Sequence, residues 1–499
     1  MSTDDPHTIE GQEATVAMVD GPTIVLRPTV TSQVTTPDLQ HEFPGVTQHH
    51  YRPADVGNDV VLYVGAFRRG DGTDTLDGSV RWRWSNNARI EARVTRLATT
   101  AAWQQLMSTG DASLWLEHDH LVVDLPGGTL PPQPAEGTRP ENAGRVIASR
   151  LEQQLGDGQD LDRVTFLIPN GWQAFDGSAV CDPHDLARQW HGRLTATGGG
   201  WAVTIDPTGE MDPAAWHELK DRASYSFTHV GCLTRSDRSP FTGEEALHAL
   251  DRVRVALNVA LGRRTTCSLP VGWRDDAPVW AGWRSAPVDP FQPIRHWLDD
   301  TIATRQITNI VERVLDFTAD LAAWEALRPA AAYYVAANMD VDVEMPVAIP
   351  VSGLQLLAYY RFVTDRGAYS RSKWKALGTE AQLRLLLDDI NLDLSVQSQF
   401  MHLAAVQQRL AQHRARWDAL GVVVKMRNLV THPKKDEPAL FSAREWAEAG
   451  MHARFWLCMA LLNVVGYDDE VAAVMGAEPQ GTGQVRPPPW TQARNDHER

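Results

Sequence analysis

The sequence lacks several features that mark common classes of protein. Its 499 residues include only four cysteines, which are far apart and form no C-x-x-C pair. Such spacing offers neither a zinc site nor a disulfide framework and is typical of a reducing cytosol. The amino terminus, MSTDDPHTIEGQE, has no basic segment followed by an apolar one, as a secretory signal would have. We therefore expect a cytoplasmic protein.

Long hydrophobic runs and an excess of positive charge are also missing. The longest strongly apolar stretch, FWLCMALLNVVG at 455–466, is too short to span a bilayer, so no membrane partner is expected. The net charge of −16 argues against a protein that coats nucleic acid through its overall field. A polyanion would have to meet a local basic surface. The sequence has no P-loop, G-x-S-x-G or G-x-G-x-x-G motif, and no cofactor is predicted.

The first half of the chain has the pattern of an α+β region with a largely antiparallel sheet. After a polar lead-in at 1–40, residues 41–300 contain short β-prone segments at 60–67, 79–84, 89–97, 113–125 and 163–169. Segments 192–207, around three glycines, and 271–283 predict hairpins. One long helix is expected between the capping pair Thr242 and Glu245 and a stop at Gly262.

The second half, residues 301–470, has helical periodicity and predicts an antiparallel helical bundle. Its last helix is opened by the capping pair Ser442 and Glu445 and closed by Gly466. Residues 471–499, with the Pro-rich VRPPPW, form a predicted flexible tail. The expected fold is therefore an α+β region followed by an all-α bundle.

The stretch VKMRNLVTHPKK, residues 424–435, carries the main functional signal. After an expected break at Gly421, apolar residues at helical spacing should face the core and leave Arg427, Asn428 and His432 on the exposed side. Asn428 and His432 are neighbours one turn apart. The residue before a proline is biased away from helical geometry, so His432, preceding Pro433, should sit at a loosened helix end.

Positive charge concentrates around this stretch. Between residues 409 and 435 there are seven Lys or Arg residues against Asp418 alone. Such a local reversal of charge can hold a phosphate backbone. The cations predicted to contact RNA are Lys425, Lys434, Lys435, Arg414 and Arg416. Cations near a helix carboxyl end also complement the helix dipole without any further function, and this alternative stays open.

RNLVTH resembles the Arg–polar–x3–His signature of the HEPN superfamily, and the helices at about 301–467 resemble a HEPN bundle. The order of the two halves is similar to the ApeA-like anti-phage branch. The resemblance implies a metal-independent endoribonuclease in antiviral defence, abortive infection or a toxin system. It also implies a homodimer in which two motifs form one composite site. We expect RNA (tRNA or mRNA) as the substrate, with a phage-derived trigger or nucleotide as a further partner.

The residue types of the motif suit RNA cleavage by the 2′-hydroxyl of the substrate. Histidine can exchange protons at neutral pH, since its unperturbed pKa is ~6.5. Arginine offers a fixed-charge fork to the phosphate oxygens. The hypothesis assigns proton transfer to His432 and transition-state stabilisation to Arg427. Asn428 would orient His432 or a phosphate oxygen. The Trp-rich region at 41–300 would sense a trigger or gate the site.

Other readings remain. The bundle could bind RNA or a nucleotide without catalysis, or a sheet domain for carbohydrate or peptide could sit on a structural bundle. Twelve of the 18 tryptophans fall between Trp82 and Trp297; core packing is their expected role, and a stacking platform is the alternative. His118 and His120 share a strand face without a third metal ligand. His184 and His191, seven apart, could share a solvated helix face.

Overall fold

The computed structural model describes residues 43–68, 75–84, 88–96, 122–123, 130, 133, 147–150, 153–209, 211–292, 297–339, 342, 344–412, 417–432, 441–472 and 485–491. From Gly45 onward the described residues pack as one compact unit. Antiparallel sheets with a few helices come first, and helices follow from residue 303 to residue 464. The predicted fold class is confirmed.

The first β-prone segments pair into a five-stranded antiparallel sheet. Its strands are β1 (Val60–Arg68), β2 (Thr75–Arg83), β3 (Arg89–Arg96), β4 (Val122–Val123) and β5 (Ile147–Arg150), in the order β4-β1-β2-β3-β5. The segments predicted at 60–67, 79–84 and 89–97 are confirmed as strands. Most of the segment predicted at 113–125 lies outside the described residues.

A second antiparallel sheet has eight strands in the order β6-β13-β12-β7-β11-β10-β9-β8. They are β6 (Gln153–Gly156), β7 (Arg163–Pro169), β8 (Ser178–Cys181), β9 (Gln189–Gly198), β10 (Trp201–Pro207), β11 (Phe227–Arg235), β12 (Ser268–Arg274) and β13 (Ala277–Trp283). The strand at 163–169 and both predicted hairpins, β9–β10 and β12–β13, are confirmed.

Side-chain alternation places the eight-stranded sheet between two cores. On β7, Val164 and Phe166 face the core shared with helices, whereas Leu167 faces the core shared with the five-stranded sheet. Successive side chains of a strand point to opposite faces, so a strand covered on both sides is apolar throughout. Trp82, Trp280, Trp283 and Trp297 are fully buried in these cores. Core packing is thus confirmed for these tryptophans.

Two helices belong to the sheet region. The predicted one is α2 (Gly243–Leu261), with its capping box and with Gly262 at φ 62°, a left-handed conformation that favours glycine. The other, α1 (Pro213–Asp221), is a helix that the periodicity did not predict. Its signal is nevertheless present in the sequence, because Asp212 caps it and a proline occupies its first position.

The helical part contains eight α-helices among its described residues. They are α3 (Ala303–Phe317), α4 (Leu321–Ala337), α5 (Met345–Tyr359), α6 (Arg371–Ala376), α7 (Thr379–Asp389), α8 (Met401–Ala411), α9 (Ala419–Thr431) and α10 (Ala443–Val464). A π-helical turn, Tyr360–Asp365, extends α5. The capping box at Ser442 and the stop at Gly466, which has φ 78°, are as predicted.

Helix α3 lies directly on the β9–β10 hairpin. The Gly199 amide donates to Asp316 Oδ1 at 2.7 Å, and a Cβ at Gly199 would come 2.5 Å from the Leu315 carbonyl oxygen. The carboxylate of Asp176 accepts from the Thr304 and Arg305 amides at the other end of α3, both at 2.9 Å. The sheet and the helices therefore share one continuous hydrophobic core.

Two further observations bear on sequence-based expectations. His184 lies in a turn and His191 in strand β9, so the shared helix face considered for them is wrong. The segment is polar and short, and the turn at 182–185 satisfies its backbone locally. Across the part of the chain that the structure describes, every helix is too short or too polar to cross a bilayer.

Candidate functional site

Helix α9, which carries the Arg-Asn-x3-His motif, starts at a strong cap. Asp418 Oδ1 accepts from the Gly421 amide at 2.9 Å, and the same carboxylate receives Arg384 Nη1 and Nη2 at 2.6 and 3.1 Å. The expected break at Gly421 is therefore wrong, since this residue lies in the first turn. A Cβ there would come 3.1 Å from the Trp417 ring, so the glycine permits close packing of the ring.

The apolar face of α9 is buried as predicted. Val422 and Met426 are fully buried, and Leu429 is 6% exposed. This orientation leaves Arg427 and Asn428 half-buried at the border between core and surface. A helix with one apolar stripe places the flanking residues at such a border. The motif side chains thus start from a helix that is firmly held by the bundle.

Arg427 and Asn428 are in direct contact. Arg427 Nη1 donates to Asn428 Oδ1 at 3.2 Å. Arg427 Nε is buried and has no hydrogen-bond partner among the described residues. Burial lowers the pKa of the Arg427 guanidinium from its ordinary value, and no described carboxylate offsets this effect. Arginine nevertheless stays protonated in proteins, so Arg427 is a half-buried cation in need of an anion.

Two described arginines near α9, Arg384 and Arg409, already have carboxylate partners. Arg384 binds Asp418, as described above, and also Glu380 at 3.1 Å. Arg409 Nη1 binds Glu445 Oε1 at 2.5 Å. Because Glu445 neutralises Arg409, this arginine adds little to the basic surface counted from the sequence. Arg427 differs from these neighbours in lacking a counter-ion among the described residues.

His432 follows the last residue of α9 and is exposed. Its φ and ψ of −137° and 69° are not helical, although its amide still donates to the Asn428 carbonyl at 2.9 Å. The predicted position at a loosened helix end is confirmed. No described residue forms a hydrogen bond with its imidazole ring. The structure therefore joins Arg427 to Asn428 and leaves the ring of His432 apart from both.

The structure describes only some of the cations that the sequence predicts around the motif. Lys425 is half-buried on α9. Arg414, Arg416, Lys434 and Lys435 lie outside the described residues. Of the five cations predicted to contact RNA, the described residues therefore include one, Lys425, which lies on the same helix as Arg427.

A second Arg–His pair that loosely fits the motif is structural. His229, in β11, is fully buried; its ring stacks on Trp172 with centroids 4.0 Å apart. Burial lowers its pKa to about 3. Arg222, which precedes it, pairs with Glu218 at the end of α1. These two residues belong to different elements and carry no candidate site.

The sequence also offered a pair of histidines as a weak candidate for a metal site. His118 and His120 lie outside the described residues. Among the residues that the structure describes, no three His, Cys, Asp or Glu side chains come together as a metal site would require.

Fold and site define a protein in which an α+β region with antiparallel sheets precedes a helical bundle. Near the end of one bundle helix lies an arginine that has no counter-ion among the residues that the structure describes. Part of each of these two regions matches a known protein family. Residues 156–294 match the YopA central domain, and residues 321–478 match the YopA C-terminal domain. No curated protein and no solved structure matches the chain. The first match covers β7 to β13, and the second covers α4 to α10.

Proposed function

We propose that this protein is a metal-independent endoribonuclease of the HEPN type that acts in the cytoplasm. The observation that supports it best is Arg427, a half-buried cation bonded to Asn428 and without a counter-ion among the described residues. A phosphate of the substrate would supply the missing negative charge. His432, five residues later and exposed, is accessible to the same substrate.

The proposed reaction needs only proton transfers and a cation. A base removes the proton of the 2′-hydroxyl, the 2′-oxygen attacks the adjacent phosphorus, and the bond to the 5′-oxygen breaks. An acid returns a proton to the leaving 5′-oxygen, giving a 2′,3′-cyclic phosphate and a 5′-hydroxyl end. Neutral histidine serves as the base and its protonated form as the acid. Arg427 stabilises the charge that builds on the non-bridging oxygens.

The isolated position of the His432 ring supports a site completed by a second copy. One chain presents one histidine, whereas the reaction uses an acid and a base. In a homodimer with facing motifs, the two His432 side chains divide these roles. Asn428 then acts mainly by orienting Arg427, to which it is bonded, and its amide nitrogen remains available for a phosphate oxygen.

The biological setting follows from the same resemblance. The substrate is tRNA or mRNA, and the enzyme acts in anti-phage abortive infection or as a toxin. The sheet region up to residue 300 senses a phage-derived trigger or a nucleotide. The contact of α3 with the β9–β10 hairpin supports this coupling, because it joins the sheet to the first bundle helix.

Cleavage of total RNA by the purified full-length chain tests the proposal. Wild type should generate new 5′-hydroxyl ends in the presence of EDTA, and a 2′-deoxy substitution at the cut site should abolish cleavage there. His432→Ala should be inactive, whereas His402→Ala, which removes a half-buried histidine from α8, should behave as wild type. Inhibition by EDTA, or equal activity of His432→Ala, would refute the mechanism.

A non-catalytic RNA- or nucleotide-binding module is the second candidate. It is favoured by the position of the His432 imidazole ring, which makes no hydrogen bond with the side chains of Arg427 and Asn428. In that case Arg427 holds a phosphate without turnover. RNA binding that is lost in Arg427→Ala, with no cleavage by wild type even in lysates of phage-infected cells, would identify this function.

A further inference from the structure

A second basic surface lies on the short helix α6. Arg371, Lys373 and Lys375 are all exposed there. No Asp or Glu occurs between residues 367 and 379, although the whole chain carries a net charge of −16. The local charge of this segment is therefore opposite in sign to the net charge of the whole chain.

These three cations have no carboxylate partner among the described residues. The arginines just before them behave differently: Arg361 and Arg366 share Asp389, at 3.2 and 2.6 Å. The fold therefore neutralises Arg361 and Arg366, which lie at the two ends of the π-helical turn. It leaves the α6 cations without a carboxylate partner among the described residues. An open set of cations is available to a polyanion at little desolvation cost.

The backbone beneath these cations is firmly held. Trp374, between two of the lysines, is buried and stacks on Phe362, with ring centroids 6.0 Å apart and planes 21° apart. Tyr369 packs edge-on against the same indole at 5.7 Å. The Gln382 amide donates to the Trp374 carbonyl at 3.0 Å. The lysine and arginine stems thus project from a fixed base, which reduces the entropy lost when they bind.

Contacts through α7 connect helix α6 to the amino-terminal end of α9, whereas the motif lies at the carboxyl-terminal end of α9. Gln382 ties α6 to α7, whose Arg384 binds Asp418 at the cap of α9. Since α9 has 13 residues, its two ends are about 20 Å apart. The cations of α6 are therefore separate from those that surround Arg427 and His432.

We infer that the α6 surface, formed by Arg371, Lys373 and Lys375, is an RNA-binding surface that contacts the phosphate backbone at a distance from the cleavage site. This inference rests on the proposed function for its choice of RNA as the polyanion. Contacts of lysine and arginine with phosphate carry no sequence information, so this surface holds RNA without regard to sequence. Its energetic contribution is electrostatic and depends on salt.

Binding of a fluorescent single-stranded RNA of about 20 nucleotides, longer than the ~4–16 of common single-strand sites, tests the inference. The RNA is 2′-O-methylated so that it resists cleavage. Anisotropy is measured between about 0.05 and 0.2 M salt with the full-length chain. Replacing all three α6 cations by alanine should weaken binding about 100-fold at ~0.1 M salt and reduce the slope of log affinity against log salt by about 2.

A matched control removes the same charge elsewhere. Arg222 and Arg328 are exposed and Arg313 is half-buried, and the three are paired with Glu218, Glu325 and Asp468, respectively. Their triple alanine variant should bind RNA nearly as wild type does. An equal loss of affinity in this control would refute a specific role for α6, because any loss of positive charge would then suffice.

A second variant separates charge from folding. Lys373→Arg with Lys375→Arg keeps the charge and should keep wild-type affinity; a loss here would also overturn the inference. Failure of wild type to bind RNA, or binding of anionic lipid vesicles instead, would refute the RNA surface directly. Cleavage is measured separately, so normal RNA binding through α6 without cleavage would refute the nuclease proposal alone.

Discussion

Replacing Arg427 by methionine tests whether this side chain serves ligand binding without stabilising the folded protein. Methionine keeps the length and apolar stem of the side chain and removes the guanidinium. In the structure that group makes one side-chain hydrogen bond, to Asn428 at 3.2 Å, while its Nε is buried and unpartnered among the described residues. Burial lowers the pKa of the group, so its charge opposes folding.

These contacts set the expected magnitude. The lost hydrogen bond is worth about 0.5–1.5 kcal/mol. Removing a buried donor that has no hydrogen-bond partner stabilises the folded state by about 1–3 kcal/mol. The free energy of unfolding of Arg427→Met should therefore stay within about 1 kcal/mol of wild type or rise. If the proposed function holds, the same variant should lose about 10²–10³-fold in cleavage rate, as expected for a transition-state donor.

Arg384→Met is the matched comparison, because it lies next to the same helix but has carboxylate partners. Its loss leaves Asp418 without two hydrogen bonds, at 2.6 and 3.1 Å. The expected cost is about 1–2 kcal/mol, after allowing for solvent around these partly exposed groups. Urea unfolding, followed by tryptophan fluorescence, gives both midpoints. A fall in the Arg427→Met midpoint as large as that of Arg384→Met would refute the reasoning.

Two further predictions concern stability. His229 has a pKa of about 3 in the folded protein, below the ordinary 6.5, so on acidification the unfolded chain binds the proton first. The free energy of unfolding should therefore fall as pH drops from about 6.5 toward 3, and His229 accounts for about 2 kcal/mol of that fall between pH 6.5 and 5. The urea midpoint of His229→Phe should change less with pH than that of wild type. Gly199→Ala should destabilise by at least about 2 kcal/mol, because φ is 57° and the new Cβ would meet the Leu315 carbonyl at 2.5 Å; an unchanged urea midpoint would contradict the packing of α3 on the hairpin.

Sequence reasoning succeeded where structure is decided over a few residues. The helix at 243–261 was predicted because Thr242, Glu245 and Gly262 satisfy its ends locally. The hairpin at Gly199 was predicted because turn glycines separate two alternating segments. His432 was placed at a helix end for a similar reason, since the residue before a proline resists helical geometry.

Local sequence patterns gave the wrong prediction where one type of residue, such as glycine, can either end a helix or lie within it. Gly421 was expected to break a helix, yet it lies inside the first turn of α9 because Asp418 caps that turn and Trp417 needs the space. Helix α1 was missed although Asp212 and Pro213 mark its start. The position of a glycine or proline becomes informative only together with the residues that satisfy the neighbouring backbone groups.

By itself, the sequence determined the succession of strands and helices and located Arg427, Asn428 and His432 near the end of one helix. Tertiary structure alone decided which cations are neutralised. Arg409 meets Glu445, 36 residues away, whereas Arg427 meets no carboxylate among the described residues. Composition counts both as the same positive charge. The difference arises because an ion pair depends on distance in space, which folding sets and sequence separation does not.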